Sequence, residues 1–237
     1  VEGGVNVGLA HGIHFDLLLV LFGGFGHRSR ELIDSASRVR DRELLFLVGH
    51  RLPLALPGAG VILGALTAER QAVMDADGLV VPGVGAFATV MALLRATRGD
   101  EMIERRLAGG RAVLGICVGL QILFDRGVEH GVDTAGLGQW PGVVEKLPAD
   151  RLPHMGWNVI KDVRSHPLFD GIDSDFGFYF VHSFYFECEC EENILSTSKY
   201  GDEFTSSIFA GHIFGTQFHP EKSDKLGLQI IKNFLNL

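Results

Sequence analysis

Cys117 lies in Val113-Leu114-Gly115-Ile116-Cys117-Val118-Gly119-Leu120-Gln121, an apolar run ending in a thiol with glycine two positions before and two after. The spacing is the cysteine counterpart of G-x-S-x-G. It predicts a strand, a sharp turn and a helix, with a nucleophile at the turn. The glycines fit because a nucleophile elbow is a strained turn in which neighbouring side chains would clash. Leu120-Gln121-Ile122-Leu123-Phe124 carries the apolar spacing of the helix that should follow. A thiol at that position sits at a helix N-terminus, whose partial positive charge favours the thiolate.

A thiol nucleophile needs a base, and the base needs an orienter. Gly215-Thr216-Gln217-Phe218-His219-Pro220-Glu221-Lys222-Ser223 supplies both. In an extended segment residues two apart project from the same side. Pro220 disfavours the helical region for His219 and so favours that extension. Glu221 then reaches one ring nitrogen of His219 while the other faces Cys117. A buried cysteine is often only a small apolar core residue, and a His-Pro-Glu is often only a loop. The elbow and the His-x-Glu together favour a reactive site.

Other candidates are weaker. Pro82-Gly83-Val84-Gly85 follows the apolar Leu79-Val80-Val81 and opens a helix, and Asp100 lies about twenty residues on. That is compatible with a dinucleotide-binding turn. Such short glycine patterns are weak and Pro82 is awkward in that turn, so a loop whose main-chain N–H groups approach a developing oxyanion is the preferred reading. Cys188-Glu189-Cys190 has no second ligand pair, so a zinc site is not expected, and alternation on an exposed strand is the preferred reading. His154 and His182 have no carboxylate spaced as Glu221 is from His219. Trp157 is compatible with an ordinary core position.

The elements that must hold these residues read as alternating strands and helices. Leu79-Val80-Val81 and Ala112 to Ile116 are short apolar runs, as in buried parallel strands. Ala88 to Leu94 and Met102 to Ala108 read as helices, the second closed by Gly109-Gly110. From Phe176 the pattern is strand-rich, through Phe178-Tyr179-Phe180-Val181, Ser206 to Phe209 and Ile213-Phe214-Gly215, and Leu226 to Leu237 reads as an amphipathic helix. The expected class is α/β, a mostly parallel central sheet flanked by helices with an antiparallel extension.

Composition narrows the function classes. The chain has 237 residues, 46% hydrophobic and 21% charged, enough for one sizeable globular domain. A net charge of −8 without a dense basic run argues against a nucleic-acid surface. Three cysteines make no disulfide framework and point to a reducing cytoplasm. Ile13 to Phe22 is apolar but interrupted by Asp16, too short to span a bilayer and without the basic flank of a signal peptide, so a first strand is expected there. All arginines precede residue 165 and most phenylalanines follow it. The motifs straddle that change, so a single domain over 1–237 is expected.

Leu114-Gly115-Ile116-Cys117-Val118-Gly119-Leu120-Gln121 with Gln217-Phe218-His219-Pro220-Glu221 resembles the class I (triad) glutamine amidotransferases. Pro82-Gly83-Val84-Gly85-Ala86-Phe87, Pro153-His154-Met155-Gly156-Trp157-Asn158 and Tyr179-Phe180-Val181-His182-Ser183 extend the resemblance to the glutaminase subunits of imidazole glycerol phosphate synthases. It runs from about Asp75 to Leu237. Residues 1–74 are atypical: where the family has Asp-Tyr-Gly-x-Gly-Asn after its first strand, this chain has Leu17 to Ser29 without that Asp and Asn, and the stretch to Pro82 is longer.

The resemblance implies a glutaminase without cofactor or metal. Cys117 attacks the side-chain amide of L-glutamine. Main-chain N–H groups of Val84 and Val118 hold the oxyanion, and Gly83, Gln121 and Ser183 help hold glutamine. His219, oriented by Glu221, protonates the leaving ammonia and then activates water. It further implies a heterodimer with a (β/α)₈ cyclase subunit, which uses the ammonia to make imidazole glycerol phosphate and an aminoimidazole carboxamide ribonucleotide in histidine biosynthesis. Trp157, Tyr179 and Lys222 then lie near that partner, with no nucleic acid or membrane involved. A non-catalytic interaction subunit and a dinucleotide-binding oxidoreductase are the alternatives.

Overall fold

The computed structural model describes residues 46–51, 62–67, 70–172, 177–188 and 190–237. The first strand expected within Ile13 to Phe22, and the divergent stretch Leu17 to Ser29, lie outside the described residues. In chain order the strands are β1 (Phe46–Arg51), β2 (Ile62–Thr67), β3 (Gly78–Gly83), β4 (Val113–Cys117), β5 (Phe124–Glu129), β6 (Val132–Ala135), β7 (Trp140–Lys146), β8 (His154–Val159), β9 (Gly177–His182), β10 (Phe184–Phe186), β11 (Ile194–Tyr200), β12 (Asp202–Ala210) and β13 (Ile213–Thr216). The helices are α1 (Arg70–Asp75), α2 (Phe87–Ala96), α3 (Gly99–Ala108), α4 (Val118–Gln121) and α5 (Asp224–Phe234).

The main sheet runs β11-β12-β13-β4-β3-β1-β2. Its centre is parallel. Leu79 to Gly83 pair with Val113 to Cys117, and Ile213 to Thr216 pair with Val113 to Ile116. All of β4 is buried, as the uninterrupted apolar sequence requires of a strand covered on both faces. The remaining pairings of this sheet are antiparallel, so the antiparallel share is larger than the sequence implied. The functional consequence lies at one edge: Gly83, Cys117 and Thr216 all end their strands on the same side. Ligand sites in open α/β sheets form at the carboxyl ends of parallel strands.

The helices cover this sheet with apolar faces. In α2 the buried residues Phe87, Val90, Met91 and Leu94 follow the i, i+3, i+4, i+7 spacing. Helix α5 buries Gly227, Ile230, Ile231 and Phe234 in the same way. Helix α3 buries Met102, Ile103 and Arg106. The Arg106 guanidinium satisfies the carbonyls of Val73, Ala76, Asp77 and Ala112 at 2.7 to 3.3 Å, tying the end of α1 to the start of β4.

Two local expectations fail. The helix after Cys117 is one turn long, and Phe124 begins β5 instead of continuing it. Phe124 is fully buried between Trp140 and Phe186, with centroids 5.6 and 4.6 Å away, and pairs with β7. Tertiary packing overrides the local helical spacing, as it commonly does for short apolar runs. Cys188 and Cys190 do not alternate on a strand either. β10 stops at Phe186, and Cys188 turns its Sγ to the Cys190 carbonyl at 3.2 Å.

Candidate active site

The elbow is built by backbone-to-backbone contact. Cys117 has φ 54° and ψ −114°, a conformation that costs a non-glycine residue about 1–3 kcal/mol. A Cβ on Gly119 would lie 1.8 Å from the Val81 carbonyl oxygen, and one on Gly115 would lie 2.6 Å from that of Gly119. One on Gly83, paired with Cys117 across the sheet, would lie 2.3 Å from the Gly119 nitrogen. Only glycine lets β3, β4 and the turn close on one another. The single turn of α4 supplies little of a helix dipole at the elbow, short of the helix that the sequence predicted there.

His219 and Glu221 meet as expected. His219 is extended, with φ −99° and ψ 94°, while Pro220–Lys222 form a 3₁₀ turn that brings the carboxylate back. His219 Nδ1 and Glu221 Oε1 are 2.5 Å apart and both side chains are buried. His219 Nε2 is buried without a hydrogen-bond partner. Burial opposes the imidazolium, but the charges of Glu221 and of a Cys117 thiolate outweigh it and raise His219 to about 10. The backbone holds this segment against β9: the His219 N–H donates to the Tyr179 carbonyl at 2.8 Å, and the Tyr179 N–H donates to Ser223 Oγ at 2.9 Å.

The Cys117 sulfur has two polar neighbours that spacing alone left unassigned. Gln217 Nε2 donates to Sγ at 3.5 Å, and the thiol faces the Val181 carbonyl at 3.7 Å. Gln217 lies two residues before His219, just after β13 ends at Thr216. Gln121, expected to hold glutamine, uses both amide protons internally, donating to the Phe184 carbonyl at 2.9 Å and to Gln217 Oε1 at 3.0 Å. Ser183 joins β9 to β10, two residues from Val181, and its carbonyl accepts from Leu147 N–H at 3.0 Å.

The loop Val84-Gly85-Ala86 leaves β3 beside the elbow. Gly85 has φ +101° and open space where a side chain would be. The loop is held at both ends: Gly83 is pressed on the elbow, and the Phe87 N–H donates to Glu129 Oε2 at 2.6 Å. The Val118 N–H is among the donors that a helix's first turn leaves without an intrahelical acceptor. Asp100 sits in the first turn of α3, not at a strand end where it could meet a ribose. That removes the basis of the dinucleotide reading.

His154 and His182 pair across β8 and β9. His182 Nδ1 must donate to the Phe184 carbonyl at 2.9 Å, which leaves its Nε2 to accept from His154 Nδ1 at 2.9 Å. His154 Nε2 then accepts from Asn158 Nδ2 at 3.2 Å. Burial pushes His154 down to about 4 and His182 down to about 3, so both are neutral at physiological pH. They are not bases for Cys117.

Alternation along β8 turns Met155, Trp157 and Val159 outward, and Trp157 is 55% exposed, so it is no core residue. Trp157 pairs with Tyr179 edge to face at 6.2 Å, and Lys222 Nζ stands 5.9 Å over the Tyr179 ring. The three expected interface residues therefore share one exposed patch.

Residues 60–237 match the family Glutamine amidotransferase class-I, and the chain belongs to that family. Its curated relatives are more particular. It is 49% identical over 193 residues to the imidazole glycerol phosphate synthase subunit HisH of Leifsonia xyli subsp. xyli, covering 78% of this chain and 91% of that protein. It is 50% identical over 194 residues to the protein of the same description from Nocardia farcinica, covering 79% and 92%. Among solved structures, a glutamine amidotransferase superposes with a TM-score of 0.54 over 72% of this chain and 85% of that one, at 20% identity, a likeness of fold.

Proposed function

We infer that this chain is the glutaminase subunit of an imidazole glycerol phosphate synthase, releasing ammonia from L-glutamine for histidine biosynthesis. The observation that carries the chemistry is a strained cysteine elbow beside a buried His219–Glu221 pair whose Nε2 has no partner. Cys117 attacks the amide carbon of glutamine, and the oxyanion is received by the N–H groups of Val84 and Val118. His219 delivers its proton to the leaving ammonia, and its free Nε2 then takes a proton from the water that cleaves the thioester. Glu221 holds the ring on Nδ1 throughout. Gly83, Gln121 and Ser183 border the glutamine; with its donors engaged, Gln121 offers glutamine its carbonyl oxygen.

The partner is a separate cyclase subunit, docked on the patch of Trp157, Tyr179 and Lys222. Three exposed apolar side chains aligned on one strand, beside an aromatic and a lysine, are the makings of an interface core. No described helix is long and apolar enough to cross a membrane. The test is Cys117→Ala with purified cyclase. Glutamine-dependent synthesis should vanish and ammonia-dependent synthesis should continue, because only the ammonia source is lost. Cys188→Ala and Cys190→Ala should leave both near wild type. An inactive Cys188→Ala with an active Cys117→Ala would overturn the site.

A further inference from the structure

We propose that Gln217 donates to the Cys117 thiolate alongside the His219 ring, and that the Phe184 carbonyl, acting through Gln121, fixes Gln217 with its amide NH₂ toward the sulfur. The proposal rests on the glutaminase reading and adds a residue to its machinery. Its basis is the order in which hydrogen-bond directions are settled. A main-chain carbonyl can only accept. The Phe184 carbonyl, 2.9 Å from the Gln121 amide, therefore requires Nε2 at that position. Gln121 Nε2 is also 3.0 Å from the side-chain amide of Gln217, so the facing atom must be the acceptor, Oε1. Gln217 then has one orientation left, with Nε2 directed at Cys117 Sγ at 3.5 Å. Flipping Gln217 would place two NH₂ groups against each other and turn a carbonyl oxygen on the sulfur.

All three side chains are buried, so water cannot substitute for a lost partner. The same carbonyl also receives Nδ1–H of His182, which is braced by His154 and Asn158. Phe184 is thus an acceptor shared by two chains of side chains and cannot turn to suit either. Opposing the thiolate is the Val181 carbonyl, at the longer distance of 3.7 Å. The donor is nearer than the acceptor, and the one-turn helix contributes little. Beside the charge of the His219 ring, Gln217 supplies a side-chain donor to the sulfur.

The test reads the thiolate directly, without glutamine. Cys117 in the full chain is alkylated with iodoacetamide over a range of pH, the site being confirmed by peptide mass. Gln217→Leu should slow alkylation at neutral pH about tenfold and move its pH midpoint up by about one unit, the same factor expressed twice. Gln217→Glu should do more, since a carboxylate then faces the sulfur. Gln121→Leu should act in the same direction but less, because Gln217 becomes free to flip; it serves also if the Gln217 variants fail to fold. In glutamine hydrolysis Gln217→Leu should lower kcat about tenfold with KM within about twofold. Unchanged alkylation rate and midpoint in folded Gln217→Leu or Gln121→Leu would overturn the proposal while leaving the glutaminase reading intact. Preferential alkylation of Cys188 or Cys190 in the wild type would overturn both.

Discussion

At the residue scale, His219 and Glu221 have unequal tasks. In the proposed mechanism His219 moves protons to and from the reacting atoms. Glu221 orients the ring through Nδ1 and stabilises its charged form. Glu221→Gln keeps a side chain of the same size able to accept from Nδ1–H, so a poorly charged but placed imidazole survives. Initial rates at saturating glutamine should therefore fall by less in Glu221→Gln than in His219→Ala, by about 10-fold against about 10³-fold or more. Full activity in Glu221→Gln would show that His219 needs no carboxylate. The proximity of His219 and Glu221 and the elbow at Cys117 were legible in the sequence because these residues announce themselves by local spacing. The importance of Gln217 comes instead from Cys117, Gln121 and Phe184. Those contacts join segments far apart in the chain, and no local pattern encodes them.

At the scale of elements, the elbow's glycines make a sharper claim than flexibility. Gly119→Ala would drive a methyl into the Val81 carbonyl, 1.8 Å away, so β3 must separate from the turn. Overpacking a core commonly costs about 1–3 kcal/mol, and backbone is harder to displace than a side chain. For a chain of this size the Tm should drop by about 5 °C or more, and the surviving fold should hydrolyse glutamine poorly because Cys117 is misplaced. Gly177→Ala is the matched control, with its nearest neighbour an ordinary 3.6 Å away, and its Tm should change little. Equal Tm values for both variants would mean that the turn is not close-packed. The strands β3, β4 and β13 and the helices α2, α3 and α5 could be read from apolar periodicity. Strand β9 was also legible, from Phe178-Tyr179-Phe180-Val181. The small sheet β10-β7-β5-β6 was not, since Phe124 takes its conformation from Trp140 and Phe186.

At the scale of the whole molecule, the buried pair links stability to pH. Burial works against the charged ring, but Glu221 first and Cys117 second raise His219 from 6.5 unfolded to about 10 folded. A raised value means the contribution is fully present below about pH 6.5 and is lost as pH rises through about 10. Glu221→Gln removes the largest raising influence. The wild type should therefore exceed it in Tm most near pH 6.5, and the difference should shrink by pH 10. Melting curves across that range test it, and a constant difference would show that the pair is not the source.

The same scale governs activation. The site and the exposed patch share one piece of backbone: Tyr179 presents its ring to Trp157 and Lys222, while its main chain holds His219 and Ser223. A partner seated on that patch would bear on the segment carrying the base. The loop proposed to receive the oxyanion adds a second movable part, because a side chain on Gly85 would meet open space and only Val84 to Ala86 lie between the anchors at Gly83 and Phe87. A peptide rotation there points an N–H into the site or away, and a partner that prefers one arrangement shifts the population toward it. One oxyanion donor is worth about 10²–10³ in rate. Glutamate release by the chain alone should accordingly be slow, faster with the cyclase, and at least about 10²-fold faster with the cyclase and its nucleotide ligand. Trp157→Ala should blunt the rise without altering the lone rate, since the ring lies outside the catalytic group. Equal rates in all three mixtures would leave a free-standing glutaminase, and no release in any of them would favour a non-catalytic interaction subunit.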